Sequence, residues 1–196
     1  MITRLANIIA DFLIHKKVVE SKERDIYIYG CEALFSAISN LIILIVCGIM
    51  TGELISAFIF LFIFVLMRKY CGGYHAQTHL KCNFIFAITT LVILLIVKNN
   101  FLIDTFILII TLIISDIIIF WLAPIMNKNK PLEQCEIIKF RKISCTLGFI
   151  FTIIAVLLIY ISKAVSIIIA LTLLSVSVAM LYAKIFVEGG EKYETI

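Results

Sequence analysis

The chain has 196 residues, of which 63% are hydrophobic and only 15% charged, against about 25% charged in an average soluble domain. A soluble domain of this size has no interior large enough to hide so much apolar surface, and a formal net charge of +4 is too small to imply a polyanionic partner, so a soluble enzyme, a disordered chain and a nucleic-acid-binding module are excluded. The apolar residues run continuously instead of alternating, which excludes a membrane β-barrel and leaves an all-α integral membrane protein.

Residues 1–30 lack the apolar core and small-residue cleavage site of a signal peptide. Leu5, Ile8, Ile9, Phe12 and Val19 recur at helical spacing with Arg4, Asp11, Lys16, Lys17 and Glu20 between them, so an amphipathic helix on the inner membrane surface is expected. A leader packed on the other helices is the competing reading. Six apolar runs follow, at 33–50, 54–67, 84–97, 101–126, 143–162 and 164–187, and each predicts a transmembrane helix. Runs 54–67 and 84–97 are too short, since a span needs about 20 residues. The outer connections around 52 and 99 are tight, so the missing turns must come from 68–83. That segment should then sit at the depth of the inner leaflet, lined by protein, because irregular backbone cannot face lipid. Lys and Arg divide fifteen to two between alternate connections, which puts the richer side, with both termini, in the cytoplasm. No repeat or linker divides the chain, so residues 1–196 read as one domain.

The segment 68–83 holds two of the three His, two of the six Cys and the Gly72-Gly73 pair. A cysteine nucleophile acts as the thiolate, and nearby His, Lys or Arg both favours that form and supplies a base. Cys82 has Lys81 beside it, His79 three residues back and His75 seven back. At about 100° per residue all three fall on one helix face, and the i, i+3 pair His79–Cys82 is the closer one. Spacing alone therefore favours His79 as base, while the glycine pair would let the chain break and keeps His75 open. Two other readings of the segment stand beside this one: interfacial histidines with no catalytic part, and a zinc site of His75, His79, Cys82 and Cys71. The latter lacks the glutamate of H-E-x-x-H. Cys31, Cys47, Cys135 and Cys145 read as packing thiols in a reducing compartment, without disulfides.

The string Arg68-Lys69-Tyr70-Cys71-Gly72-Gly73-Tyr74-His75, with Cys82 seven residues beyond the His, resembles the accessory gene regulator B (AgrB) family of bacterial membrane cysteine endopeptidases. Ala123-Pro124 followed by Lys128-Asn129-Lys130-Pro131-Leu132 is similar to the family as well, and the likeness covers nearly the whole chain. The resemblance implies a catalytic pair of His75 and Cys82, with Arg68 and Gly73 at further matching positions, and moves the base from His79 to His75. It implies a precursor of a quorum-sensing autoinducer as substrate, made of an amphipathic leader, a central segment and a charged tail. The thiolate would cut before the tail and hold the rest as a thioester, which an internal Cys or Ser closes to a thiolactone or lactone. No cofactor and no metal are implied. Cys71 departs from the family pattern, where a small residue such as Ala is expected, and adds a second reactive thiol.

Arg68, Gly72, Gly73 and Gln77 are the supporting candidates within the segment. Outside it, Asp116 is an ionisable group deep in the fourth run, placed to orient His75 or meet substrate, and Glu32 is a weaker candidate of the same kind. Lys128 and Lys130 belong to a basic stretch, 127–142, that could receive an acidic tail. Expected partners are the precursor peptide, membrane lipid and a second copy of the chain, since His75 and Cys82 could pair across a homodimer. The rival function is a small membrane transporter or ion- or metal-binding permease using His75, His79 and Asp116, but the chain lacks a pair of interrupted spans in two halves. A membrane scaffold for a regulatory partner is the third class.

Overall fold

The computed structural model describes residues 2–16, 18–72, 79–99, 103–125 and 133–188. The architecture is all-α. An N-terminal helix α1 (Ile2–His15) precedes six long helices: α2 (Arg24–Thr51), α3 (Leu54–Cys71), α4 (His79–Lys98), α5 (Thr105–Leu122), α6 (Gln134–Leu158) and α7 (Lys163–Tyr182), the last continued by a π-helical turn at Ala183–Glu188. All of α2 to α7 are long and apolar enough to cross a membrane. Large side chains such as Ile55, Phe62, Phe106, Phe149 and Leu157 remain exposed on their outer faces, as lipid-facing positions require.

Helix α7 is the central post. Over half of its most apolar stretch is buried, against a third or less for the other spans. It packs against α3, α4, α5 and α6. Its buried serines are tied across the bundle: Ser166 Oγ donates to Ala155 O of α6 at 2.8 Å, and Ser177 Oγ donates to Ser115 O of α5 at 3.1 Å. Small residues let the backbones approach, which is how helices associate where lipid tails are as apolar as leucine. Gly48 does this between α2 and α3, since a Cβ there would stand 3.1 Å from the Leu54 backbone and 3.2 Å from Ala57 Cβ. The turn between those helices closes on Gly52 (φ 77°), with Glu53 N–H donating to Gly48 O at 2.9 Å.

The amphipathic N-terminal helix is present but shorter than the pattern suggested. It stops at His15, so Val19 lies beyond it, and α2 starts at Arg24, well before the apolar run at 33. Arg24 explains the junction: its guanidinium donates to Asp11 Oδ1 at 2.8 Å and to Asn7 Oδ1 at 2.9 Å, fastening α1 to the foot of α2. That hydrogen bond holds the Asp11 carboxyl below the usual carboxylate range. The fastening is therefore complete at neutral pH and is lost as pH falls through the lowered value. Ala6 and Ala10 are buried, while Leu5, Ile8, Ile9 and Phe12 are exposed, so the apolar stripe is left free for lipid.

The expected loop at 127–142 is also shorter. Helix α6 begins at Gln134, so Lys139, Arg141 and Lys142 sit on a helix. A capping box starts it, with Glu133 N–H donating to Glu136 Oε2 at 3.1 Å.

These contacts predict opposite outcomes at two glycines of α2. Gly48→Leu forces the α2–α3 backbones apart and should lower the thermal midpoint in detergent. Gly30, with nothing within 4 Å of a Cβ, should accept Ala with the same or a higher midpoint, a gain of up to about 1 kcal/mol.

Candidate active site

The two short apolar runs are completed from the polar segment between them. Helix α3 extends to Cys71 and α4 begins at His79, so Arg68 and Cys82 both stand on helices. Below them lies an aromatic floor. Phe64 and Phe86 meet with ring centroids 5.7 Å apart, and Phe60 lies 5.3 Å from Phe64 and 5.9 Å from Phe86. Arg68 follows Phe64 by four residues on α3, and Cys82 precedes Phe86 by four on α4, so each lies one turn nearer the same end of the bundle. The Arg68 guanidinium sits 6.0 Å above the Phe64 ring and within electrostatic range of the Cys82 sulfur. Both residues are half-buried. The arrangement offers a thiol, a fixed cation and an apolar underside that keeps water from reaching the sulfur through the bundle.

The end of α3 is pinned by backbone. Ile125 N–H, just past α5, donates to Cys71 O at 2.9 Å, and Gly72 pairs with Ile125 in a short parallel bridge. Arg68 Nη1 donates to Gly72 O at 2.9 Å. Gly72 has φ 73° and ψ −141°, a conformation open essentially to glycine, and a Cβ would overlap the Ile125 carbonyl oxygen. Tyr70 meets Phe140 of α6 edge-on at 5.6 Å. Cys71 is fully buried beside the Ser144 hydroxyl of α6. This corrects the expectation of a second reactive thiol: Cys71 is a packing residue in the α3–α6 contact, and buried thiols of that kind are inert.

His79 and Cys82 both stand on α4, three residues apart. His75 itself, with Gly73, Gln77, Lys128 and Lys130, lies outside the described residues. Glu32 is half-buried on α2. Asp116 is held between α5 and α6, where its Oδ1 would lie 3.1 Å from a Cβ on Gly148. It borders a groove of ≈ 260 Å³ with Ile119, Phe120, Cys145 and Phe149. Those contacts give Asp116 the part of a polar helix–helix group. Asp104 caps α5, accepting from Phe106 N–H at 3.4 Å. Among the described residues no group of three or more His, Cys, Asp and Glu is placed to hold a metal ion.

Sequence reasoning missed the aromatic floor, Ile125 and Ser144. The i±4 spacing of Phe64 to Arg68 and of Cys82 to Phe86 was a usable signal for the floor. The Ile125 contact has no signal in sequence, since it joins segments about fifty residues apart.

The geometry predicts that Gly72→Ala costs at least the 1–3 kcal/mol typical of one strained backbone position, read as a lowered thermal midpoint. It should also expose Cys71: a small maleimide should alkylate Cys82 but not Cys71 in the parent, and both in the variant. A Gly72→Ala protein with parental stability and a protected Cys71 would contradict the pairing with Ile125.

Residues 6–181 match the family described as Accessory gene regulator B. Over 139 residues the chain is 30% identical to an AgrB-like protein of Clostridium perfringens strain SM101 and 28% identical to AgrB-like protein 2 of strain 13 of that species. Each match covers 68% of this chain and 65% of the relative, so the aligned stretch spans just under two thirds of those proteins. Over 115 residues it is 25% identical to protein FsrB of Enterococcus faecalis, covering 58% of this chain and 48% of that protein. No solved structure matches. The polar segment set between two apolar helices, and the match along most of the chain, lead to one statement: the chain belongs to the accessory gene regulator B family, as a multi-pass membrane protein.

Proposed function

We propose that this protein is a membrane cysteine endopeptidase that removes the C-terminal tail of a quorum-sensing autoinducer precursor and promotes cyclisation of what remains. The observation that carries the reading is the position of Cys82: half-buried on α4, one turn from Phe86, whose ring packs with Phe60 and Phe64 beneath Arg68 of α3. Cys82 is the nucleophile and His75 the base. The sulfur attacks the carbonyl before the tail, His75 passes its proton to the leaving amine, and the retained peptide stays on Cys82 as a thioester. Arg68 faces the negative charge that forms. An internal Cys or Ser of the bound peptide then displaces Cys82 and closes the ring.

Exchange between thiol and thioester is nearly isoenergetic, while hydrolysis is downhill. A cyclising site must therefore exclude water and hold the internal nucleophile close. An aromatic floor beneath the sulfur supports that requirement. The exposed stripe of α1 lies on lipid, where an amphipathic leader would also travel. The charge division supports a site on the cytoplasmic face of the cell membrane, with both termini inside. Lys128 and Lys130 are the proposed receivers of an acidic tail, and Glu32 and Gln77 complete the proposed substrate contacts.

Co-expression with a candidate precursor, followed by mass spectrometry of membranes and medium, tests the chemistry. Cys82→Ala should abolish cleavage while the protein still inserts, and Cys71→Ala should keep it. His75→Ala should lower the rate by about 10²–10⁴, with a much smaller loss for His79→Ala. Normal processing by Cys82→Ala would end the peptidase reading.

Orientation is tested separately. An impermeant thiol reagent should label cysteines engineered at 52 and 99 in intact cells and none engineered within 127–142. Labelling of that stretch from outside would place the site on the wrong face.

A further inference from the structure

We propose that the Asn83 carboxamide is a further catalytic group of this site, a neutral donor to the oxyanion formed when Cys82 attacks a carbonyl; the inference rests on the peptidase reading above. Asn83 follows Cys82 in the first turn of α4 and is half-buried. Its Oδ1 is buried and has no hydrogen-bond partner among the described residues. A buried amide oxygen left unpaired is destabilising, and hydrocarbon offers it no partner. Leucine fills nearly the same space with no such penalty, so packing alone gives no reason for asparagine here. Unpaired buried polar groups of this kind call for a ligand or a chemical role.

The placement supplies the role. Phe86 points at α3, since it stacks on Phe60 and Phe64. At about 100° per residue, Cys82 lies about 40° to one side of the Phe86 direction and Asn83 about 60° to the other, both about one turn nearer the inner end. The two side chains therefore lie on either side of the Phe86 direction. In the proposed complex a carbonyl carbon bonded to the Cys82 sulfur would carry its oxygen between them, within reach of the Asn83 carboxamide. Only Oδ1 of the carboxamide is enclosed, so the –NH₂ end, which brings two donors, is the end left for a carbonyl oxygen on Cys82.

The step balances as follows. His75 takes the Cys82 thiol proton, the sulfur forms a bond to the carbonyl carbon, and the C=O π pair moves to oxygen. Asn83 Nδ2–H and the Arg68 charge hold that oxyanion. The C=O re-forms, the C–N bond breaks, and the amine takes the proton from His75. The thioester remains on Cys82.

Two reagents separate this role from packing and from thiol reactivity. Acylation of Cys82 by a p-nitrophenyl ester passes through a tetrahedral oxyanion, whereas alkylation by iodoacetamide is a direct displacement that forms none. In the full-length protein in lipid nanodiscs, Asn83→Leu should slow acylation by about 10²-fold or more, the loss typical of one oxyanion donor. Iodoacetamide alkylation should proceed at the parental rate, and the thermal midpoint should stay or rise because an unpaired polar atom has been removed. Asn83→Ala provides the same kinetic comparison should the leucine variant misfold. Parental acylation rates in both variants would overturn the inference and leave the peptidase reading intact. Equal slowing of acylation and alkylation, or a lowered midpoint with proportional losses, would assign Asn83 to packing and overturn it as well. If parental Cys82 acylates no faster than the exposed Cys135, the peptidase reading itself fails.

Discussion

Hydrocarbon offers no hydrogen bonds, so every helix that ends within the membrane must have its free carbonyls met by protein. The C-terminal end of α3 is where this demand shapes the molecule. Cys71 O is met by Ile125 N–H and Gly72 O by Arg68, and the cost of admitting a second backbone so closely is a glycine with no Cβ to intrude. Arg68 thus closes the helix end with one N–H group and stands over Phe64, facing Cys82, with the rest of its guanidinium. The site's cation is positioned by the same bond that lets the chain leave the helix. An α3 that continued straight on would need neither Gly72 nor Ile125, and would carry Arg68 in the same register with no reason to turn inward.

That end is stiffened from outside the α3–α4 pair. Tyr70 and Cys71 lean on Phe140 and Ser144 of α6, and the buried face of α3 packs on α7. Helix α7 is in turn tied to α5 and α6 through Ser177 and Ser166. Helix α4, by contrast, meets α3 mainly through large aromatic rings. Arg68 is therefore mounted on the rigid centre of the bundle, and Cys82 on a helix that reaches it across a ring-filled gap.

The number and type of helices could be read from sequence because continuous apolar runs have few solutions in a membrane. Their ends could not. Residues 68–71 and 79–83 are polar, so hydropathy stops where the helices continue, and only the length needed to span a bilayer argued for extending them. Glu133 and Glu136 were a readable start signal for α6, hidden by taking the basic stretch as a loop. Cys71 was misjudged because a thiol's reactivity depends on its burial, and burial against Ser144 is set by how α3 meets α6. The aromatic floor depends on the register of α3 against α4, which no local pattern encodes. Asp116 stood out correctly as an intramembrane carboxylate, but only Gly148 opposite it shows that its neighbours are on α6.

The division of labour around Cys82 follows from what each donor can do in a medium of low dielectric. A guanidinium gives long-range stabilisation to any anion near it, including a resting thiolate, so it favours the ground state as well as the transition state. Uniform stabilisation of that kind adds little to the chemical step. A neutral amide beside the sulfur acts over one hydrogen bond, and helps only when charge appears on the carbonyl oxygen. In the proposed mechanism Arg68 on α3 and Asn83 on α4 put the charge and the neutral donor on different helices, so small changes in the α3–α4 spacing would alter one without the other. The proposed reaction first releases a peptide tail and then gives up a thioester to a second nucleophile, so an oxyanion would form twice, and a donor fixed on the same helix as the sulfur would serve both steps.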